Sequence, residues 1–425
     1  MKSVLPFPFQ KRILIAVTGG IAAYKICEVI STLAKAGAEV RAILTDSAQQ
    51  FITPLTVATL CRHQTYTDAD FWQPTHGRPL HIQLGEWAEL LVIAPLTANT
   101  LAKIATGMAD NLLTNTLLAS SCPVLLVPAM NRQMWRQNIV QQNWQQVLNY
   151  QRFHGIDPVA GVLACDLPAE DREGWQIGSG RMAEPKQILA CIESLLHTGG
   201  KRDLLGKRVL VSAGGTREHL DPVRFIGNPS TGKMGLAVAQ AAVHRGARVT
   251  LVRAAMSAEL LAPLPDEVEV VSVTTAEQMR RAMLERFSQA DITVMAAAVG
   301  DVQPADYRDY KLSKADLPTA LPLKHCADIL AELGKIKQPP QFLVGFAAQT
   351  GDILTPALGK LEAKNLDVIV ANPVDKANAG FGSDTNTATL INRAGKQLDF
   401  AGCSKLTLAH HLFDFMEIHQ KDTLE

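Results

Sequence analysis

The stretch RFIGNPSTGKMG, residues 224–235, spaces Gly227 and the pair Gly232-Lys233 as a phosphate-cradling P-loop does. In such a loop the lysine reaches a triphosphate and a following Ser or Thr hydroxyl holds magnesium. Met234 occupies that place and brings no oxygen. The loop is also displaced from its strand, since VLVSAGGTREHLDPVRFI comes before the glycines. The spacing therefore does not read as a triphosphate cradle. A second glycine pair, Gly19-Gly20 in VTGGIAAYK, sits between an apolar run and a helical pattern. Free amides at a helix start bind phosphate, and glycine lets a ligand come close. On its own this pattern is weak, because it lacks GxGxxG and many such turns are only turns.

Other reactive side chains are scattered. Thr97 and Asn99 in APLTAN, and Met130 and Asn131 in PAMN, end apolar runs where open α/β sheets bind ligands. His81 precedes them, and Cys165 and Arg181 bracket a polar loop downstream. A lone histidine is usually structural, and a lone cysteine is usually a small buried apolar residue. Lys360 and Lys364, four apart on a helical pattern, read first as an ordinary surface pair.

These residues need elements to place them. RILIAVTG, EVRAILT (ending in Thr45), LLVIAP and PVLLVP read as buried strands, with amphipathic helical stretches between them. The cycle restarts at KRVLVSAGGT and continues through RVTLVRA, DITVMAAAV, QFLVGFAAQ and LDVIVAN. The expected fold is α/β, with two doubly wound Rossmann-like parallel-sheet domains. Their expected bounds are 10–196 and 207–425, with a linker at 197–206.

A chain of 425 residues is long enough for two cores, and 47% hydrophobic residues can fill them. Forty-one basic and 41 acidic side chains cancel, which gives no electrostatic case for nucleic acid. Seven cysteines without a CxxC pair point to reduced thiols in a cytoplasmic protein. The N-terminal segment, broken by two prolines, does not read as a signal peptide, and no run is long enough to span a membrane.

In the first half, HIQLGEWAELLVIAPLTANTLAKIATGMADNLL, PAMN and LAC followed by GSGRM resemble the phosphopantothenoylcysteine decarboxylase family of flavoproteins. The resemblance implies FMN held by Gly19, Gly20, Thr45, Thr97, Asn99 and Met130. It implies that the substrate thiol is oxidised to a thioaldehyde, an electron sink that lets the neighbouring carbon lose carbon dioxide. His81 would act in the oxidation as a base or orienting group, Asn131 would hold the substrate carboxylate, and Arg181 would contact substrate. Cys165 would protonate the enethiolate, a role suited to a thiol of pKa about 8.5. Asp166 replaces the family's glycine after LAC, and extra polar residues precede GSGRM.

In the second half, SAGGTREHLDPVRFIGNPSTGKMG, AAAVGD, YKLSK, LVGFAAQT and KLEAKNLDVIVAN resemble the phosphopantothenate–cysteine ligase family in order. That family joins 4′-phosphopantothenate to L-cysteine, and its bacterial type uses CTP through an acyl-cytidylate. The resemblance implies Lys311, Lys360 and Lys364 on the triphosphate, with Lys311 activating the carboxylate. Asn228 would position the acyl intermediate, and Asp301 would meet the nucleotide or Mg²⁺. Ala327, Asp328, Ile329 and Leu330 would receive the cytosine, with Phe346 nearby.

The two resemblances together imply a bifunctional enzyme that forms homo-oligomers, with trimers through one half and dimers through the other that would add up to a dodecamer. Two other readings stay open at this point. The flavin half could bind its cofactor without turnover. The second half could be a nicotinamide-dependent oxidoreductase, although its second strand ends in Arg253 rather than a ribose-binding acid.

Overall fold

The structure, a computed structural model, describes residues 10–74, 77–162, 179–257, 260, 264–265, 268–317, 319–373, 383 and 385–422. The chain divides after Lys201 into two compact units.

The first unit is built on β1 (Arg12–Val17), β2 (Glu39–Leu44), β3 (Thr65–Thr67), β4 (Leu90–Leu96), β5 (Val124–Pro128) and β6 (Phe153–Gly155). They form one sheet in the order β3-β2-β1-β4-β5-β6, with every pair parallel. Parallel strands need crossovers, which the helices supply, so both sheet faces are covered and the strands read as unbroken apolar runs. In β1 the residues alternate between two cores. Ile13, Ile15 and Val17 pack with Ile26, Val29 and Ile30 of the helix Ala23–Lys35. Leu14 and Ala16 pack on the other face with Leu84, Leu101 and Leu117. That period-two split is what burying a pleated strand on both sides requires.

The second unit repeats the plan with β7 (Arg208–Ala213), β8 (Arg248–Arg253), β9 (Glu269–Ser272), β10 (Ile292–Met295), β11 (Phe342–Gln349) and β12 (Val368–Pro373). Two further strands, β13 (Thr385–Asn392) and β14 (Gln397–Ser404), complete an eight-stranded sheet. Its order is β9-β8-β7-β10-β11-β12-β13-β14. The first six strands are parallel in the same order as the first sheet, β13 pairs antiparallel with β12, and β14 pairs antiparallel with β13. The sequence reading of a parallel sheet therefore holds for six strands and needs amending for two. For the β13–β14 pair the reason is the turn Asn392–Lys396, too short for a parallel crossover, which closes with Lys396 opposite Asn392 and Gly395 at φ +75°.

In both sheets the strand order reverses beside the first strand, between β1 and β4 and between β7 and β10. Ligands of open α/β sheets bind in the crevice beyond the strand C-termini at such points. The two glycine turns that follow β1 and β7 stand there. Among the described residues, no helix is long and apolar enough to cross a membrane.

Candidate active sites

Beyond the C-terminal ends of β1, β4 and β5 lies a pocket of about 510 Å³. Gly19, Gly20, Thr97, Met130, Asn131 and Arg181 all line it. The two glycines differ in kind. A Cβ on Gly19 would lie 2.4 Å from the Ser47 Cβ, so packing alone demands glycine there. A Cβ on Gly20 would meet nothing within 4 Å, so the protein itself leaves that space open. The helix Ala23–Lys35 starts with no side-chain cap and no acid in its first turn, which leaves its positive end available to an anion. The walls are mostly apolar, from Ala98, Met130, Met134 and Val162.

Polar groups are few and placed by hydrogen bonds. Thr18 Oγ1 donates to the Pro95 carbonyl at 2.6 Å and accepts from the Thr97 amide at 3.1 Å, joining the loops after β1 and β4. Thr97 caps the helix Ala98–Thr106 through the Thr100 amide at 3.3 Å. Asn131 caps the helix Arg132–Arg136, with Oδ1 accepting from the Gln133 amide at 2.8 Å. That bond uses the Asn131 oxygen and leaves its NH₂ as the group able to donate to a carboxylate. Lys25 and Arg181 both meet Glu184, at 3.1 and 2.8 Å. Sequence reasoning missed this trio because Lys25 and Glu184 are 159 residues apart. The only hint was a lysine inside the quoted glycine motif.

Three named residues stand apart from that lining. Thr45 is buried after β2, where its hydroxyl accepts from the Ala48 amide at 3.3 Å. Asn99 is exposed on the helix after Thr97. His81 lies on the helix Leu80–Trp87, edge-on to Phe71 with ring centroids 5.4 Å apart. Its Nδ1 is buried and has no hydrogen-bond partner among the described residues. Cys165 lies outside the described residues.

The second unit holds a pocket of about 500 Å³ beyond β7, β10 and β11. It gathers Asn228, Asp301, the run Ala327–Leu330, Phe346, Lys360 and Lys364. Gly232 and Lys233 line it too, at the start of the helix Lys233–His244. Gly232 has φ +79°, and a Cβ there would lie 2.6 Å from Met256 Cε. The left-handed φ is what calls for glycine there, since the end of the Met256 side chain can move aside. The helix it opens has no side-chain cap and no acid in its first turn. The turn is therefore a helix N-terminus able to take an anion, and Met234 adds no metal ligand.

Asn228 Nδ2 donates to the Val299 carbonyl at 3.3 Å, which fixes the side chain at the pocket edge. Asp328 caps the helix Ile329–Ile336 through the Ala331 amide at 3.0 Å and pairs with Lys364 at 2.8 Å. Burial pushes its carboxyl up, but the Lys364 hydrogen bond, the Ala331 amide and the charges of Lys364 and Lys360 outweigh it and leave its pKa below the ordinary value. Beside it, burial raises the Cys326 thiol, and the charges of Glu218 and Asp301 raise it further. Lysines 233, 360, 364 and 405 surround the cavity against two carboxylates, Asp301 and Asp328. A cationic lining suits a polyanion. Asn372, Asn386 and Lys405 complete the wall, and sequence reasoning passed over all three. Asn386 and Lys405 come from the β13–β14 hairpin and the helix after it, which had not been read as part of the sheet.

Lys311 is not brought into this pocket. It is exposed, next to buried Leu312, whose amide and carbonyl are bonded to Asp221 and Arg224. The structure fixes the loop at Leu312 and leaves Lys311 outside the lining of the cavity.

Comparison with known proteins covers both units. Residues 9–197 match the family described as Flavoprotein. Residues 204–419 match the family described as DNA/pantothenate metabolism flavoprotein C-terminal domain. The coenzyme A biosynthesis bifunctional protein CoaBC of Bacillus subtilis (strain 168) is 42% identical over 416 residues, 98% of this chain and 99% of that protein. The protein of that name from Vibrio cholerae serotype O1 is 39% identical over 389 residues, 91% of this chain and 93% of its own. A crystal structure of the C-terminal domain of a CoaBC protein aligns with TM-score 0.44 and 34% identity, covering 52% of this chain and 100% of that domain. Matched almost end to end, with a pocket at the switch point of each sheet, the chain belongs to the family of coenzyme A biosynthesis bifunctional proteins, enzymes with a flavoprotein decarboxylase half and a ligase half.

Proposed function

We propose that the second unit ligates 4′-phosphopantothenate to L-cysteine with CTP, and that the first unit decarboxylates the product with FMN to give 4′-phosphopantetheine. The observation that carries this reading is the gathering of Asn228, Asp301, Ala327–Leu330, Phe346, Lys360 and Lys364 around one cationic cavity. In the ligase the lysines would draw charge off the leaving pyrophosphate, and Asn228 would hold the acyl group for the incoming amine. Lys311 would join them on the mixed anhydride from its anchored loop. Magnesium would be held mainly by phosphate oxygens with Asp301 as its protein ligand, in keeping with that ion's habit of using one or two carboxylates.

The first pocket fits FMN on its own chemistry. Open space over Gly20, an uncapped helix start and a mostly apolar wall suit a phosphate joined to a flat ring. When bound, FMN supplies the two-electron oxidation and reduction. The chain's part is to hold the substrate carboxylate on the Asn131 NH₂, to place Arg181 at the substrate, to orient the thiol through His81 and to return a proton from Cys165. The protein is proposed to work in the cytoplasm as a homo-oligomer, with contacts made separately by each half.

One assay tests the whole reading. Protein carrying FMN is given phosphopantothenate, CTP, Mg²⁺ and L-cysteine, and pyrophosphate and carbon dioxide are measured. Both should appear. A colourless protein that cannot be reconstituted, or a mixture that never yields pyrophosphate, would overturn it. Asn228→Asp should still release pyrophosphate while forming little amide, and Cys165→Ser should stop at an oxidised, decarboxylated species.

A further inference from the structure

Two cations face the first pocket, and one carboxylate behind them holds both. Among the described residues that line this cavity, Lys25 and Arg181 are the charged ones. Glu184 is not in the lining, yet its Oε1 takes Lys25 Nζ at 3.1 Å and Arg181 Nη2 at 2.8 Å. The two partners differ in freedom. Lys25, in the first turn of the helix Ala23–Lys35, has a side chain only 11% exposed. Arg181 ends the strand Ser179–Arg181 with a side chain 41% exposed. A long side chain at that exposure keeps several rotamers unless something holds its head.

The main chain on either side of this ion pair is well held. The Gly180 carbonyl accepts from the Met130 amide at 3.0 Å, and a Cβ on Gly180 would lie 2.7 Å from the Met130 carbonyl oxygen. The strand end is therefore pressed against the loop that carries Asn131. The stem of Arg181 lies along Gly161, where a Cβ would be 3.2 Å from Arg181 Cδ. Glu184 opens the helix Pro185–Thr198, its amide donating to Gln187 Oε1 at 2.9 Å. That helix is sunk in the core through Ile188, Ile192 and Leu195. With both backbones fixed, the ion pair to Glu184 aims the guanidinium.

We propose that Glu184 is a positioning residue of the decarboxylation, anchored by Lys25 and holding the Arg181 guanidinium toward the substrate. This rests on the reading above, in which the first unit binds FMN and Arg181 meets phosphopantothenoylcysteine. Glu184 touches no substrate itself. Its charge has two opposed effects. As an anion behind the pocket it weakens the field on an anionic substrate, and as a holder it keeps Arg181 in the direction that pairs with that substrate. Holding is the larger effect, because a charge-assisted hydrogen bond depends on geometry while the field of a half-exposed charge is screened.

Glu184→Gln tests this by the sign of its effect. A mere counterion, once neutralised, would leave the substrate bound as well as before or more tightly. The expected result is instead a KM for phosphopantothenoylcysteine raised about tenfold with kcat within about twofold, the pattern of lost ground-state binding. FMN affinity, followed by flavin fluorescence, should stay within about twofold of the parent. In Arg181→Met the KM should already be high, and adding Glu184→Gln should change it by less than about twofold. A KM in Glu184→Gln that is unaltered or lower overturns the proposal, and so does a rise that persists undiminished in the Arg181→Met background. If the glutamine variant fails to hold flavin, Glu184→Asp, which keeps the charge and withdraws it by one methylene, is judged by the same two criteria. A parent protein that binds flavin but releases no carbon dioxide from phosphopantothenoylcysteine would instead sink the decarboxylase reading.

Discussion

Asp221 and Leu312 stand 91 residues apart in the chain and share a hydrogen bond, the Leu312 amide donating to Asp221 Oδ2 at 3.3 Å. Arg224 bridges the same pair, reaching Oδ2 at 2.8 Å and the Leu312 carbonyl at 3.2 Å. Asp221 Oδ1 accepts from the Val223 and Arg224 amides, both at 2.8 Å. The LDPVR segment is therefore a clasp on the KLSK segment, and Lys311 sits one residue from its grip. Asp221→Ala leaves buried donors without an acceptor and frees that loop. Ligase turnover should fall by about 100-fold or more. Carbon dioxide release from added phosphopantothenoylcysteine should not change, and a parallel loss of both would refute the clasp.

The same carboxylate sets an acid limit. Burial pushes Asp221 up, but the amides of Val223, Arg224 and Leu312 and the Arg224 charge outweigh it, so its pKa lies below the ordinary 3.8. A depressed carboxylate stabilises the fold above its unfolded pKa, and that contribution is lost as pH falls through the folded one. The stability gap between the parent and Asp221→Asn should then be flat from pH 7 to about 5 and close only below about 4. Urea melts across that range would read it.

Gly19 and Gly20 should fail in different ways. Gly19→Ala drives a methyl into Ser47, and the first unit should lose thermal stability with or without flavin. Gly20→Ala meets no protein atom, so its melting temperature without flavin should match the parent. Its FMN affinity should drop by about tenfold or more, followed by flavin fluorescence. Equal FMN affinity would mean the ligand does not occupy that space.

Asn131→Asp keeps an oxygen to cap the helix at Gln133 and removes the NH₂. It should bind FMN normally and lose decarboxylation by about 100-fold, the scale for deleting a donor aimed at a reacting group. Asn131→Ala should lose the cap as well, at about 1 kcal/mol of stability. Retained turnover in the Asp variant would remove the carboxylate-holding role.

Arg245 gives a purely structural test. Almost fully buried, it pairs with Asp203 and with Asp414 at 2.7 Å, and donates to the His410 carbonyl at 3.0 Å. It thereby fastens the C-terminal helix Lys405–Asp422 to the end of the helix Lys233–His244. Arg245→Met should cost about 3 kcal/mol, toward the low end for a broken buried pair because both acids keep some contact with water. The urea midpoint of the second unit should fall accordingly.

What the sequence disclosed followed from local signals. Apolar runs ending in glycine turns located β1 and β7, and the residues after β4 and β5 were legible because ligands collect at strand C-termini. The antiparallel hairpin β13–β14 was missed, although Asn-Arg-Ala-Gly between two alternating runs is a turn signal. What could not be read were the long-range partners. Nothing in one sequence tells that Glu184 will meet Lys25, or that Glu218 will lie against Gly300, because those meetings depend on which strands become neighbours. Lys311 shows the converse. Its type and motif marked it for chemistry, but the hold of Asp221 and Arg224 on its neighbour Leu312 could not be read from them.

Both sheets close within their own units, and among the described residues no ladder crosses Lys201. A cut in the gene at that codon would sever one covalent link and none of the strand pairings among those residues. Either half could then be inherited, lost or grafted as a module of its own.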